Sequence, residues 1–389
     1  MSPQSADFPL DALRRHLYMI GATGYGKTEL IKKVIYGLSY NPDITCTTMF
    51  VTPHEKDARE IARWKENAQG HGENLIYIDM NLLDDWYPVL NPFEIVDRNN
   101  KSEVDIFSNM LTSVIDDLVA NSELSPNMVT LLVPCVSVVI KYSGSLVSLQ
   151  DFMDENTNEI WITRGLKSEN PMHRRFFKYG FHRPNLSATK NSVYIKLQQI
   201  LNSEPLYRML CGKSTINIRE IMNSKKLVVW NLSPGDAGDD PAIIFGRFVI
   251  AIVQSLALMR KKRWHPDKRV PLFLYIDECQ DYMSYNKSVD KLIRHSRKFG
   301  LHLGLIQQSY AEGMSAGLAE TVKQCMNIQI CGTSHSPKAM SAMAGQFKVK
   351  PEVLAGHQWG KGEFVVKVGE DKPYAFYNKT HLLEDSNAM

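Results

Sequence analysis

"GATGYGKT", Gly21 to Thr28, follows directly on the apolar run Leu17-Tyr18-Met19-Ile20. Gly21, Gly26, Lys27 and Thr28 fill every fixed place of G-x-x-x-x-G-K-[ST], the pattern of a loop that wraps phosphates. Glycines let the backbone turn its N–H groups onto an anion, the lysine reaches the outer phosphates, and the hydroxyl suits Mg2+. Glu29 to Leu38 reads as the helix whose N-terminal amides face that anion. The apolar run before the loop reads as a buried strand. This strand-loop-helix context separates a P-loop from a glycine-rich turn of the same spelling. Gly21, Ala22, Thr23, Gly24, Tyr25, Gly26, Lys27 and Thr28 are therefore the expected nucleotide-binding residues.

Working outward, strand and helix signals alternate as far as about Asn91. "ITCTTMFVT" is β-branched and strand-like, "PHEKDAREIARWKENA" carries a helical pattern, and "NLIYIDM" is a third apolar strand. Such alternation predicts a largely parallel sheet with ligands at the C-terminal ends of its strands. Residues 100 to about 222 read as mostly helical, with the Pro and Gly of "YGFHRPNLS" separating two helices. Strand grammar resumes with "KLVVWNLSPG", followed by a long helix from about Pro241 to Arg260. The expected architecture is α/β, a P-loop core with a mainly parallel sheet, interrupted by a mostly helical inserted domain; the resemblance given below implies that this core is a RecA-like P-loop NTPase. Its expected pieces are 10–99 and 223–378 for the core, 100–222 for the insertion, and 379–389 for a C-terminal tail.

"VPLFLYIDECQDYM" supplies the second half of the chemistry. Leu272 to Ile276 reads as a buried strand ending in Asp277 and Glu278. An acid at such a strand end can hold Mg2+, and a second can polarise the water that attacks a γ-phosphate. Asp277 takes the metal role with Thr28, and Glu278 the catalytic one, with ATP and Mg2+ as the expected cofactors. "LHLGLIQQS" is a further strand ending in amides, of which Gln308, ahead of Gln307, is placed to report the γ-phosphate. Before it, Arg294, Arg297 and Lys298 either form an ordinary charged helix surface or reach a phosphate across a subunit boundary. Arg297 is assigned the second role, because a guanidinium supplied in trans stabilises transition-state charge.

The totals fit a soluble protein: 389 residues, 44% hydrophobic, 22% charged, and a net charge of only +3. That balance permits local basic patches but does not announce a nucleic-acid binder. The six cysteines have no C-x-x-C pairing and several lie in apolar runs, which favours buried thiols over disulfides or zinc. "MSPQSADFPLDALRRH" has no signal-peptide h-region. Leu131 to Ile140 is too short to span a bilayer, and Ala242 to Met259 carries Arg247 and Gln254.

Together these pieces resemble the FtsK/HerA superfamily of RecA-type DNA motors, nearest to conjugation coupling proteins and HerA-like helicases. The resemblance runs over about residues 15 to 378. "FVTPHEKDAREI" resembles the family's D-P-H-G-D segment, with Pro53 and His54 kept and Thr52, Glu55 and Lys56 departing. "LYIDECQDY" is similar to its Asp-Glu-x-Gln motif, and "SRKFGLHLGLIQQS" to its Arg-Lys-aromatic-Gly segment and glutamine strand. Asn91-Pro92 matches the pair that closes the stretch "IDMNLLDDWYPVLNPF". Because of its departures, the Pro53-His54 segment is kept out of the catalytic set.

The resemblance implies a homo-hexameric ATPase that moves DNA through a central channel, with ATP sites between subunits. It implies conjugative plasmid transfer first, with viral genome packaging close behind and a relaxase or a capsid or portal protein as partner. A protein-secretion or assembly ATPase is the competing class. With no N-terminal anchor of the kind that membrane-bound coupling proteins carry, the expected location is cytoplasmic or peripheral to a membrane complex or virion. "RKKRW" (260–264) and "HRRFFKYG" (173–180) are candidate DNA contacts, each weighed against a solvated turn or a helix with one core face.

Overall fold

The computed structural model describes residues 8–69, 73–81, 86–94, 97–119, 126–235, 238–263, 269–282, 293–309, 314–333, 337–355 and 360–377. They fall into two compact units: Met1–Ile78 with Glu220–Ser233 and Arg260–Met389, and Asp79–Arg219 with Pro234–Met259.

The first unit is built on a nine-stranded sheet. Its strands are β1 (Leu17–Ile20), β2 (Thr47–Thr52), β3 (Leu75–Asp79), β4 (Leu227–Asn231), β5 (Leu272–Ile276), β6 (Leu301–Gln307), β7 (Ile328–Cys331), β8 (Glu363–Val368) and β9 (Tyr374–Tyr377). They lie in the order β3-β4-β2-β5-β6-β1-β7-β8-β9. From β4 to β7 every pairing is parallel, and β8 and β9 add antiparallel strands at one edge. The strands β1, β2, β4, β5, β6 and β7 are buried at every position, which is why they read as unbroken apolar runs. Register brings the strand ends level: Ile20 pairs with Gln307 and Cys331, and Val51 with Ile276 and Trp230. The loops after β1, β2, β5 and β6 therefore open on one edge of the sheet.

Helix α1 (Lys27–Tyr40) follows the P-loop and helix α2 (Glu55–Ala62) follows β2. Leu30, Ile31, Val34, Ile35 and Leu38 form the apolar stripe of α1 and are buried in the core. Each such side chain contributes about 2 kcal/mol by leaving water. Lys32, also on α1, is completely buried, with its ammonium 2.5 Å from Glu29, 2.8 Å from Glu60 and 3.1 Å from Asp57. Burial alone would depress this lysine, but Glu29 and Glu60, with Asp57 beside them, raise it and keep it charged. A buried charge needs such company, and here it ties α2 to α1.

The second unit is helical, with α3 (Lys101–Val119), α4 (Pro126–Lys141), α5 (Leu146–Met153), α6 (Glu159–Leu166), α7 (Pro171–Tyr179) and α8 (Ser187–Leu201). Phe152, Trp161, Phe177 and Phe181 form an aromatic cluster, with the Phe152 ring 5.6 Å from Trp161 and Phe177 and 5.9 Å from Phe181. The Pro and Gly of "YGFHRPNLS" fall between α7 and α8, where the sequence puts a break. The boundaries differ from those drawn at 99/100 and 222/223: residues 79–99 and 234–259 go with the helices. The reason is long-range bonding, such as Leu90 N–H to Met209 O at 2.7 Å and Asn91 Nδ2 to Gly144 O at 3.2 Å. No local pattern announces such contacts.

Within the stretch Asp239–Arg260, which is long enough to cross a membrane, an 18-residue window has a mean hydropathy of 2.1, yet 78% of that window is buried inside the protein. It is a core helix. All six cysteines are free thiols, four of them buried. The tail at 379–389 lies outside the described residues.

Candidate nucleotide site

Strand β1 delivers the chain into the P-loop, which needs left-handed backbone at Gly24 (φ 83) and Gly26 (φ 95). The loop is supported by its neighbours. Ala22 N–H donates to Thr333 O at 2.7 Å, and Gly362 N–H donates to Tyr25 O at 3.0 Å. A Cβ on Gly21 would come within 3.3 Å of the Gly332 backbone, so the first glycine is also a packing requirement. The N-terminal turn of α1 then presents free N–H groups to the loop, the arrangement that binds phosphate. Lys27 is 5% exposed, with Nζ 3.4 Å from Ala22 O. Burial lowers its pKa, while Glu278 and Asp277 pull the other way.

Strand β5 delivers the acid pair to the same place. The Thr28 hydroxyl donates to Asp277 Oδ2 at 3.4 Å, although the two residues are 249 positions apart. Asp277 is 1% exposed, and its carboxyl is pushed up to about 6 by burial and then by the charge of Glu278. A divalent cation would relieve that buried charge, and an all-oxygen donor set of hydroxyl and carboxylate suits Mg2+. Thr28 and Asp277 fit the metal expected of them.

Glu278 is held in left-handed backbone (φ 48), a conformation that costs a non-glycine residue about 1–2 kcal/mol. Three side chains converge on its carboxylate. Gln280 Nε2 donates to Oε2 at 2.9 Å, Gln308 Nε2 donates to Oε1 at 3.1 Å, and His54 Nε2 lies 3.8 Å from Oε1. Burial would raise this carboxyl, but His54, Gln280 and Gln308, with the charge of Lys27, draw it down to about 2. His54 is raised in turn, chiefly by Glu278. Neither His54 nor Gln280 is among the site residues expected from the sequence. The residues around His54 depart from the motif, yet Thr52 Oγ1 accepts from His54 N–H at 3.1 Å and Lys32 anchors the helix that follows. Gln280 sits in the Asp-Glu-x-Gln motif, which is the signal that marks it.

The two glutamines at the end of β6 part company. Gln307 is fully buried, donates to Tyr18 Oη at 2.7 Å and to Ser309 O, and accepts from Cys279 Sγ at 3.3 Å. Gln308 is exposed and reaches Glu278.

Arg297 lies elsewhere. The turn Ser296–Phe299 precedes β6, so Arg297 and Lys298 stand at the entry edge of the sheet, opposite the P-loop. Arg294 donates to Thr321 Oγ1 within its own chain. Arg297 and Lys298 instead line a 710 Å³ cavity with Arg14, Lys225 and Arg269, in which Asp43 is the single carboxylate-bearing residue among the described ones.

Of the basic stretches, Arg260 is buried, with its guanidinium bonded to Met222 O at 2.7 Å and Val270 O at 3.0 Å. The side chains of Lys261, Lys262 and Arg263, and all of Trp264, lie outside the described residues. In "HRRFFKYG" Phe177 enters the aromatic cluster, while Arg174, Arg175 and Lys178 are exposed.

Sheet, P-loop and acid pair define a RecA-like P-loop NTPase core carrying helical insertions. The fold is that of bacterial conjugative coupling proteins. TrwB in complex with the ATP analogue ADPNP matches with a TM-score of 0.64 at 15% identity, over 96% of this chain and 87% of that one. TrwB in complex with ADP and Mg2+ gives 0.60 at 15% identity, over 95% and 86%. VirB4 of Thermoanaerobacter pseudethanolicus gives 0.62 at 11% identity, over 94% and 89%. The likeness to FtsK/HerA motors read from short motifs thus holds for the fold across nearly the whole chain. No family model matches the chain, and no curated protein does.

Proposed function

We propose that this chain is an ATP-hydrolysing motor that moves DNA, working as a homo-hexamer in conjugative plasmid transfer. The observation that carries the ATPase reading is the convergence of Thr28, Asp277 and Glu278 beside Lys27, within a fold shared with nucleotide-bound TrwB. The shared fold also supports DNA as the moved substrate.

Lys27 and the N–H groups of Gly21–Thr28 hold the β- and γ-phosphates, while Thr28 and Asp277 hold Mg2+. The ion neutralises charge on the phosphates when bound. Glu278 orients the attacking water and takes its proton. Its three partners keep it ionised and aimed, but each donor also lowers its basicity. Gln308 resolves that conflict: turning its amide from Glu278 Oε1 to the γ-phosphate frees the carboxylate only when ATP is in place. Arg297, at the opposite edge, serves the γ-phosphate of a neighbouring subunit.

ATP hydrolysis measured with and without duplex or single-stranded DNA tests the reading. Stimulation of at least about tenfold by DNA is expected. Hydrolysis indifferent to DNA, with stimulation by a protein substrate instead, would assign the chain to the secretion or assembly class.

A further inference from the structure

The helical unit contains a 340 Å³ cleft between α3, α4 and the α6–α7 turn that the nucleotide chemistry does not use. Five cations line it: Arg98, Lys101, Lys141, Arg164 and Lys167. Against them, among the described residues, stand two acids, Asp105 and Glu169. Arg98 and Lys167 are exposed and have no ion-pair partner among the described residues.

Glu169 occupies a position that an outside anion would compete for. It lies 3.1 Å from Lys141 and 3.2 Å from Lys101, and all three side chains are largely open to solvent, at 56%, 40% and 77% respectively. Exposed pairs of this kind contribute little to stability, so the arrangement is easily undone. Beside it the Arg164 guanidinium stacks 4.8 Å from the Tyr142 ring and 4.4 Å from Trp161. Tyr142 stays 40% exposed. Cations that take phosphates, next to an open aromatic ring that takes a base, are the pattern of a groove for single-stranded nucleic acid. An acidic peptide would use the lysines but leave the aromatic element without a purpose.

We propose that this cleft binds the phosphate backbone of a single nucleic-acid strand, with Glu169 as a built-in competitor that the strand displaces. The inference rests on the reading that the chain handles nucleic acid, but it concerns a surface separate from the hydrolysis site.

The test is fluorescence anisotropy of the full chain with a labelled oligodeoxythymidine of about 20 nucleotides, across a range of salt. Lys101→Gln with Lys141→Gln should weaken binding about tenfold and flatten the log–log salt slope by about 1.4, since each charge contributes about 0.7 for a single strand. Glu169→Gln should strengthen binding about threefold. ATP hydrolysis without DNA should be unchanged in both variants. Unaltered affinity in the double variant, or weaker binding by Glu169→Gln, would overturn the proposal. So would a cleft that captures polyglutamate but not the oligonucleotide. Wild-type hydrolysis stimulated by duplex DNA, with binding insensitive to these substitutions, removes the cleft and leaves the motor reading standing. Binding that follows the substitutions without any DNA effect on hydrolysis does the reverse.

Discussion

The two edges of the parallel sheet carry opposite kinds of charge. Where the strands end, Asp277 and Glu278 are buried, with Thr28, His54, Gln280 and Gln308 within a few ångströms and the charge of Lys27 acting on both. Where they begin, Arg14, Lys225, Arg269, Arg297 and Lys298 gather around an open cavity with a single carboxylate-bearing residue, Asp43, among the described ones. The first edge contains its own counter-charges and donors, as a site that performs chemistry must. Among the described residues, the second holds more cations than acids.

The largest expected effect tests the first edge. Lys27→Ala should reduce ATP turnover at least about 1,000-fold, by weakening nucleotide binding or abolishing it, because a buried phosphate contact has no substitute. Nucleotide affinity and steady-state turnover measured on the same folded sample check this. Undiminished turnover would remove the P-loop from the mechanism.

Arg297→Ala tests the second edge and should lower DNA-stimulated turnover about 1,000-fold while leaving folding and ATP binding intact. Adding Lys27→Ala subunits should restore part of the activity, because they offer an intact Arg297 to a neighbour's working P-loop. No rescue at any mixing ratio, with mixed assemblies shown to form, would count against action in trans. Arg294, already bonded to Thr321, would not be the replacement suggested by this structure.

The basic edge also predicts a pH effect. His16 is buried, accepts from Leu303 N–H at 2.9 Å through Nδ1, and has its pKa lowered to about 3 by burial, by His302 and by Arg297. His302 is lowered to about 4, again chiefly by burial. A histidine with a depressed folded pKa binds fewer protons folded than unfolded, so its stabilisation is complete above about 6.5 and is lost as pH falls toward 3. For His16 alone the loss between pH 7.5 and 5 is about 2 kcal/mol. Urea unfolding at the two pH values measures it, and His16→Asn should remove much of the difference.

The smallest effect concerns His54. His54→Ala should lower turnover only about tenfold or less, acting on kcat rather than on ATP affinity, and His54→Gln should recover most of it. A change in affinity with kcat intact would show that the histidine supports the loop and not Glu278.

The parts of this site legible in the sequence were those with short-range signatures. The P-loop declares itself because every fixed place lies within eight residues, and Asp277-Glu278 because they end an apolar strand. The two glutamines are distinguished physically: alternation along β6 sends Gln307 into the core beside Tyr18 and Gln308 toward Glu278. Long-range partners were not legible. Lys32 reads as an ordinary helix lysine until Asp57 and Glu60 arrive from α2, and Gly332 and Gly362 support the P-loop from more than 300 residues away. The pair β8 and β9 had no place in the expected architecture. Nor does sequence order reveal that Arg297, only 11 residues before Gln308, stands at the far edge: a single strand runs between them.

The central claim is that Glu278 performs the hydrolysis step while its neighbours hold ATP. Glu278→Gln keeps size and hydrogen-bonding capacity but cannot take a proton. Equilibrium ATP binding and DNA-stimulated turnover of this variant, measured side by side, therefore separate the two functions. Binding near wild type with turnover down at least about 100-fold is the expected result. Turnover near wild type, or loss of Mg2+-dependent binding while Asp277→Asn proves harmless, would contradict the assignment of the acid pair.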